Sequence, residues 1–218
     1  MADALKAEQA AVGEPAPETI HRADYRPPDW RITHVHLDFD LGIETTRVAA
    51  RLEVVREGQH DRPLRLDIDG PLPEGLTVNG AATDWTVSPR HIDVPVSSNQ
   101  ASIAFATTIH PAANSQLMGL FASNGMLCTQ CEAEGFRRIT FFPDRPDILS
   151  RYLVRMEGPK AAFPILLSNG DRIAAGDTDN GRHYAEWRDP WPKPSYLFAL
   201  VAGDLVANRD SFVTMNGR

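Results

Sequence analysis

The sequence predicts an all-β fold, a saddle-like β-sandwich of mostly antiparallel sheets with at most one short helix. Three observations support this prediction: short segments alternate apolar and polar residues, Asn-Gly pairs separate several of these segments, and helical periodicity is scarce. Proline occurs 17 times in 218 residues, which also disfavours long helices.

The alternating segments indicate strands. In residues 35–41, for example, Val35 and Leu37 alternate with His36 and Asp38. Because successive side chains of a strand point to opposite faces, this pattern buries one face and exposes the other. The same pattern recurs in residues 48–54, 64–68, 92–96 and 103–109.

Asn-Gly pairs indicate hairpin turns between strands. A type I′ turn needs positive φ at both central residues, and Asn and Gly adopt such angles at the lowest cost. The pairs are found at residues 79–80, 124–125, 169–170, 180–181 and 216–217.

The remaining segments complete the predicted organisation. Residues 146–152 are the best candidate for a helix, with Asp144 as a possible N-cap. Residues 1–23, rich in Ala, Glu and Pro, are predicted to form a flexible tail. Residues 211–215 have the pattern of a strand, and the Asn-Gly pair after them has the pattern of its turn. We therefore expect the chain to be a piece of a longer protein.

Composition and charge disfavour several functions. The net charge of −7 is unlike that of a nucleic-acid binder, and the one adjacent basic pair, Arg137 and Arg138, is interpreted as solvated or locally paired. Two cysteines are too few for a disulfide-stabilised secreted domain. No apolar run has the length of a signal peptide or a membrane span. We expect a cytoplasmic protein that binds neither nucleic acid nor membranes.

Two motifs have the spacing of metal ligands. Cys128 and Cys131 form a Cys-x-x-Cys pair, which suits zinc or redox chemistry, although a structural zinc site needs two more ligands. His34 and His36 would share one face of a strand, but the sequence brings no third ligand near them. Free thiols and surface histidines are the favoured interpretations, and the zinc or redox protein is kept as an alternative.

A third candidate site lies between residues 130 and 134. If this segment is extended, Gln130, Glu132 and Glu134 face the same way. A carboxylate beside an amide oxygen is a good receptor for an ammonium group, because both groups accept its hydrogen bonds. Spacing alone leaves solvated strand residues as the preferred interpretation.

Several stretches of the chain resemble the amino-terminal domain of bacterial aminopeptidase N, a family of zinc metalloaminopeptidases of the gluzincin class. Residues 126–140, which read MLCTQCEAEGFRRIT, resemble the substrate-binding segment of that family. The resemblance covers nearly everything from Asp24 onward, although residues 43–110 match by pattern rather than by motif. Further matching stretches are residues 24–30, 144–147, 163–170, 180–183 and 192–204.

The resemblance implies both a domain arrangement and a chemistry. Residues 24–204 would be the amino-terminal β domain, and residues 205–218 the first strand of a catalytic domain whose zinc ligands lie beyond Arg218. Gln130 and Glu132 would hold the α-amine of peptide substrates that have a free N-terminus, whereas Glu134 and residues 118–121 receive no role. The parent would contain zinc and act as an aminopeptidase. This chain alone would bind no zinc and would be inactive.

One alternative of a different class remains. Because a β-sandwich hosts many unrelated functions, the chain is also compatible with a non-catalytic module that binds a ligand or another protein.

Overall fold

The computed structural model describes residue 19 and residues 21–217. Most of the predicted flexible tail, residues 1–23, lies outside the described residues. Within the described part, the secondary structure consists of β-strands and three-residue 3-10 turns, without an α-helix. The strands are β1 (Trp30–Asp40), β2 (Thr46–Arg56), β3 (Leu64–Asp67), β4 (Glu74–Val78), β5 (Ala81–Ala82), β6 (Thr86–Ser88), β7 (His91–Val94), β8 (Gln100–Ile109), β9 (Gly119–Ser123), β10 (Met126–Gln130), β11 (Ser150–Pro159), β12 (Ile165–Ser168), β13 (Asp171–Thr178), β14 (Arg182–Lys193) and β15 (Leu200–Gly203). The 3-10 turns are Arg22–Asp24, Pro111–Ala113, Phe136–Arg138, Asp179–Gly181 and Ser195–Leu197.

The strands form three sheets, so the predicted all-β, mostly antiparallel fold is confirmed. The largest has eight strands in the order β13-β14-β11-β1-β2-β8-β4-β5, and its one parallel pair is β1 with β11. A four-stranded sheet has the order β12-β15-β10-β9, and a three-stranded sheet has the order β3-β7-β6. The five strands predicted from alternation correspond to β1, β2, β3, β7 and β8.

Three of the Asn-Gly pairs form the predicted turns between neighbouring antiparallel strands. Asn79, Asn124 and Asn180 have φ angles of 52°, 50° and 60°, and the glycines that follow them also have positive φ. Gly170 has positive φ as well, but it links β12 to β13, which belong to different sheets. This fourth pair therefore closes no hairpin.

One predicted element is wrong, and a second lies outside the sheets of the described chain. Residues 146–152 form no helix, because Ser150 already begins β11, which lies between β1 and β14 in the large sheet. Residues 211–215, predicted as a strand, lie outside the three sheets of the described residues. None of the helical turns in the described chain is long and apolar enough to cross a membrane.

The core lies between the inner faces of the sheets. The alternation predicted for residues 35–41 is observed: Val35, Leu37 and Phe39 are at most 2% exposed. Tyr152 and Met156 of β11 are also buried, and they extend the same apolar layer. The segment after β10 packs against this layer, and it contains the candidate site.

Candidate functional site

Gln130 and Glu132 lie where β10 ends and the chain turns. Gln130 is the last residue of the strand, and Glu132 belongs to the turn that follows. The Gln130 side-chain amide donates a hydrogen bond to the backbone carbonyl of Glu132, with Nε2 and O 3.1 Å apart. Both side chains are exposed, and within the described chain the Glu132 carboxylate takes part in no hydrogen bond or ion pair. The structure therefore brings the two predicted residues together.

Glu134 is placed differently. The chain is not extended beyond Gln130, so the shared face considered for residues 130, 132 and 134 does not exist. Instead, Glu134 Oε2 lies 3.4 Å from Arg137 Nη1, and its side chain remains 61% exposed. The peptide bond between Glu132 and Ala133 is cis.

Close backbone packing fixes the turn. The Gly135 N–H donates to the Cys131 carbonyl, with 2.9 Å between N and O. A Cβ atom at Gly135 would lie 2.3 Å from the Gln130 carbonyl oxygen, 2.9 Å from Cys131 Cα and 3.0 Å from Gly119 N. Backbone atoms surround this position on three sides, so only glycine fits it without moving the end of β10.

The residue after the turn anchors it in the core. Phe136 is fully buried. Its ring centroid lies 5.2 Å from those of Phe142 and Phe198 and 6.1 Å from that of Tyr152, in edge-to-face arrangements. Such aromatic pairs add stability beyond the area that they bury.

Arg137, the next residue after Phe136, forms an ion pair with Asp144. The Arg137 backbone N–H and its Nε both donate to Asp144 Oδ2, each at 3.2 Å, and Nη2 donates to the Asp144 carbonyl at 3.1 Å. The Ser195 hydroxyl donates to the other carboxylate oxygen, Oδ1. The exposed fractions of the two charged side chains are 11% and 1%.

These contacts bear on two interpretations of the sequence. Arg137 is locally paired, which confirms one of the two options, and its side chain is only 11% exposed. Asp144 caps no helix, because its carboxylate accepts hydrogen bonds from Arg137 and Ser195. Ser195 is 51 residues from Asp144, so no local sequence pattern signals this network.

Asp67 at the end of β3 extends the network. Its Oδ2 accepts a hydrogen bond from the Asp144 backbone N–H at 2.9 Å and lies 3.6 Å from Arg137 Nη2. Burial raises the pKa of the Asp67 carboxyl, and the Arg137 guanidinium opposes this shift. The turn after β10 is thus tied to a second sheet.

Of the two cysteines, Cys131 is buried and Cys128 is half-buried. Burial raises the pKa of Cys131 to about 12, and it also raises the pKa of Cys128. The thiolate is the form that binds zinc and attacks disulfides, and these pKa values disfavour it at neutral pH. Both cysteines are free. These findings favour the free-thiol interpretation over the zinc or redox alternative.

His34 and His36 each contact a neighbouring side chain through Nδ1. His34 Nδ1 lies 3.1 Å from Thr33 Oγ1, and His36 Nδ1 lies 3.3 Å from an Arg51 guanidinium nitrogen. Burial lowers the pKa of His36, and Arg51 lowers it further. In residue 19 and residues 21–217, no three His, Cys, Asp or Glu side chains are grouped so that they could hold a metal ion.

A surface groove of about 600 Å³ crosses the outer face of the eight-stranded sheet. Neither Gln130 nor Glu132 lines it. At one wall, Arg155 Nε lies 3.8 Å from Glu186 Oε1 and Nη1 lies 3.6 Å from Asp38 Oδ1, so charges of both signs are already paired. The groove therefore contributes nothing to the ammonium receptor.

The chain belongs to the Peptidase M1 N-terminal domain family, whose model matches residues 81–197. It is 48% identical to the aminopeptidase N of Caulobacter vibrioides and 45% identical to that of Escherichia coli, in each case over 93% of this chain. It covers 24% and 23% of those proteins, so it spans about a quarter of the length of these curated relatives.

Solved structures agree with this assignment. Legionella pneumophila aminopeptidase A in complex with aspartic acid has a TM-score of 0.83 and 32% identity, covering 90% of this chain and 24% of that one. An M1 zinc metallopeptidase mutant from Deinococcus radiodurans, bound to a Tyr-Ser-Ala substrate, has a TM-score of 0.73 over 86% of this chain and 45% of that one. At 18% identity, the second likeness concerns the fold alone.

Proposed function

We propose that this chain is the N-terminal domain of a zinc-dependent aminopeptidase and that Gln130 and Glu132 anchor the α-amine of its peptide substrates. The observation that carries the proposal is an exposed carboxylate that is not paired with any described residue and lies next to an amide side chain on a rigidly supported turn. The aminopeptidase relatives support the class of reaction.

The chemistry of the two side chains suits a substrate ammonium group. The Glu132 carboxylate supplies charge-assisted hydrogen bonds, and the Gln130 amide oxygen supplies one more acceptor, because its Nε2 is already engaged with the Glu132 carbonyl. A receptor that requires a charged amine selects the first residue of a peptide, since an internal peptide nitrogen is uncharged and has one N–H donor instead of the three of an ammonium group.

Zinc is assigned to the parent protein and not to this domain. The solved M1 zinc metallopeptidase supports zinc in the parent, whose ligands would come from residues outside this chain. This domain accordingly contributes substrate binding, and we expect the 218-residue chain alone to be inactive. Its cytoplasmic location stays a prediction.

Exposed apolar side chains support packing against a second domain. Leu117 and Leu197 are about half exposed, Trp191 is 77% exposed, and Val206 and Phe212 are 98% and 84% exposed. Large apolar groups at a surface are typical of interaction sites. We propose that residues 24–204 form the domain, that its catalytic partner covers Leu117, Leu197 and Trp191, and that residues 205–218, which carry Val206 and Phe212, supply that partner's first strand.

Substitution of Glu132 in the full-length parent tests the proposal. Loss of one partner of a desolvated charge contact costs about 2–5 kcal/mol. At 1.36 kcal/mol per decade, Glu132→Ala should lower kcat/KM for an aminoacyl anilide by roughly one and a half to three and a half decades. A loss of less than about threefold would contradict the amine-anchoring role.

Glu134→Ala is the matched control. Glu134 is an exposed carboxylate two residues away, and its ion pair with Arg137 is partly solvated. Exposed ion pairs contribute about 0–1 kcal/mol, so kcat/KM should fall by at most about fivefold. If kcat/KM falls equally in the two variants, any change in the turn lowers activity, and the result contradicts a specific role for Glu132.

A further inference from the structure

Besides Phe136 and the backbone packing at Gly135, one charged side chain, that of Arg137, connects the turn that presents Glu132 to the rest of the domain. Arg137 lies five positions after Glu132, and its guanidinium is 11% exposed. The proposed substrate contacts leave the largely buried charge of Arg137 without a role. Its hydrogen bonds point away from the substrate residues and toward the segment 140–146.

The geometry points to Arg137 as a positioning residue: by binding Asp144, it holds the turn so that Gln130 and Glu132 present their acceptors to the substrate amine. This inference rests on the function proposed above. Arg137 itself touches no reacting group in this account, and it acts only through the turn.

Arg137 contacts Asp144 in one fixed orientation. Arg137 reaches Asp144 through its backbone N–H, through Nε and through Nη2, at 3.1–3.2 Å. One carboxylate oxygen thus fixes both the main chain and the side chain of the same residue. A planar guanidinium makes such contacts in one orientation, whereas a lysine ammonium is a point charge on a flexible stem.

Asp144 is held by other residues, so it cannot move with a displaced Arg137. Its Oδ1 accepts from Ser195, which follows β14, and its backbone N–H donates to Asp67 of β3. Its side chain is 1% exposed, so water does not replace a lost partner. A change at Arg137 is therefore transmitted toward the turn, where Gly135 is in tight backbone contact with Gln130 and Cys131.

The neighbouring Arg138 provides a matched comparison. Its Nη2 lies 2.6 Å from Asp69 Oδ2, and the Asp69 side chain is 54% exposed. It has the same charge and lies in the same 3-10 turn as Arg137, but its partner is open to solvent. Arg138→Gln should therefore leave the amine site unchanged.

The test compares two competitive inhibitors of the full-length parent. They are L-leucine and 4-methylpentanoate, which is leucine without its amine, and the substrate is L-alanine 4-nitroanilide. The variants are Arg137→Lys, Arg138→Gln and Glu132→Gln, each first checked for an unchanged melting temperature. The conservative lysine is chosen because complete removal of one partner of a buried ion pair is strongly destabilising.

A misplacement of about 1 Å costs up to about a hundredfold. Arg137→Lys should therefore raise the inhibition constant of leucine by roughly tenfold or more and change that of 4-methylpentanoate by less than about twofold. Arg138→Gln should change neither by more than about twofold. Equal effects on both inhibitors, or a lower maximal rate with unchanged inhibition constants, would overturn the positioning role and leave Arg137 as a merely structural residue.

Glu132→Gln separates the two proposals. If it selectively weakens leucine binding while Arg137→Lys does not, the positioning inference fails alone. If Glu132→Gln also leaves the preference for leucine over 4-methylpentanoate intact, the amine anchor itself fails, and with it the inference.

Discussion

Gly135→Ala is a direct perturbation of the turn that carries the candidate site. The added Cβ would lie 2.3 Å from the Gln130 carbonyl oxygen, more than about 1 Å inside ordinary carbon contact distance. It would also lie 2.9 Å from Cys131 Cα and 3.0 Å from Gly119 N, so all three close neighbours are backbone atoms. No flexible side chain is available to move away, and the end of β10 must shift.

Overpacking of this kind costs about 1–3 kcal/mol. For a domain of this size, each kcal/mol corresponds to roughly 2–4 °C, so Gly135→Ala should lower the melting temperature by roughly 2–12 °C. The measurement is urea and thermal unfolding of the 218-residue chain followed by circular dichroism. In the full-length parent, the same variant should lower kcat/KM, because the displaced oxygen belongs to Gln130.

Gly70→Ala is the matched control for this substitution. A Cβ at Gly70 would approach only the Arg138 carbonyl oxygen, at 3.9 Å, which is ordinary contact. Its free energy of unfolding should stay within about 0.5 kcal/mol of the wild-type value. If Gly135→Ala is equally neutral, the turn is not packed as described, and the support attributed to it is wrong.

Three further predictions concern the core beneath the site. Phe136→Ala should destabilise the chain by about 3–5 kcal/mol in urea unfolding, because a fully buried ring that contacts three other rings is lost; a loss below 1 kcal/mol would contradict its place in the core. Tyr152→Phe should leave stability unchanged or raise it by about 1 kcal/mol, since its buried hydroxyl has no hydrogen-bond partner in the described chain; a clear loss of stability would reveal a partner. Cys131, neutral in the fold, contributes stability that is fully present below pH 9.0 and is lost as the pH rises toward about 12, since the unfolded chain releases this proton first. Cys131→Ala should therefore make the fall of the unfolding free energy above pH 9.0 shallower, by up to about 1.4 kcal/mol per pH unit, and Cys128→Ala should have a smaller effect. Equal slopes in the wild type and both variants would refute the burial of Cys131.

The strands could be predicted from the sequence because their signal is local. Val35, Leu37 and Phe39 alternate with polar residues, and the sheet buries that face as expected. The Asn-Gly hairpins are equally local, since the φ angles that they need depend on two adjacent residues. The helix predicted for residues 146–152 failed for the opposite reason. Pairing of Ser150 and its successors with β14 and β1 outweighs a weak local preference.

The candidate site was predicted only in part. The resemblance to known sequences predicts Gln130 and Glu132 as the site, a role that stays a prediction, and the structure adds that the two residues are in contact. The support beneath them depends on residues far apart in sequence, such as Asp144 and Ser195, so no spacing rule could predict it. The need for glycine at position 135 is likewise invisible until the folded backbone brings Gln130 and Cys131 against it.

We propose that this domain holds the substrate amine through Gln130 and Glu132. A crystal structure of the full-length parent with a bound α-amino acid would show which residues contact that amine. We expect the ammonium nitrogen to lie within about 2.7–3.2 Å of both a Glu132 carboxylate oxygen and the Gln130 amide oxygen. An amine bound by other residues, with Glu132 more than about 4 Å away, would contradict the claim.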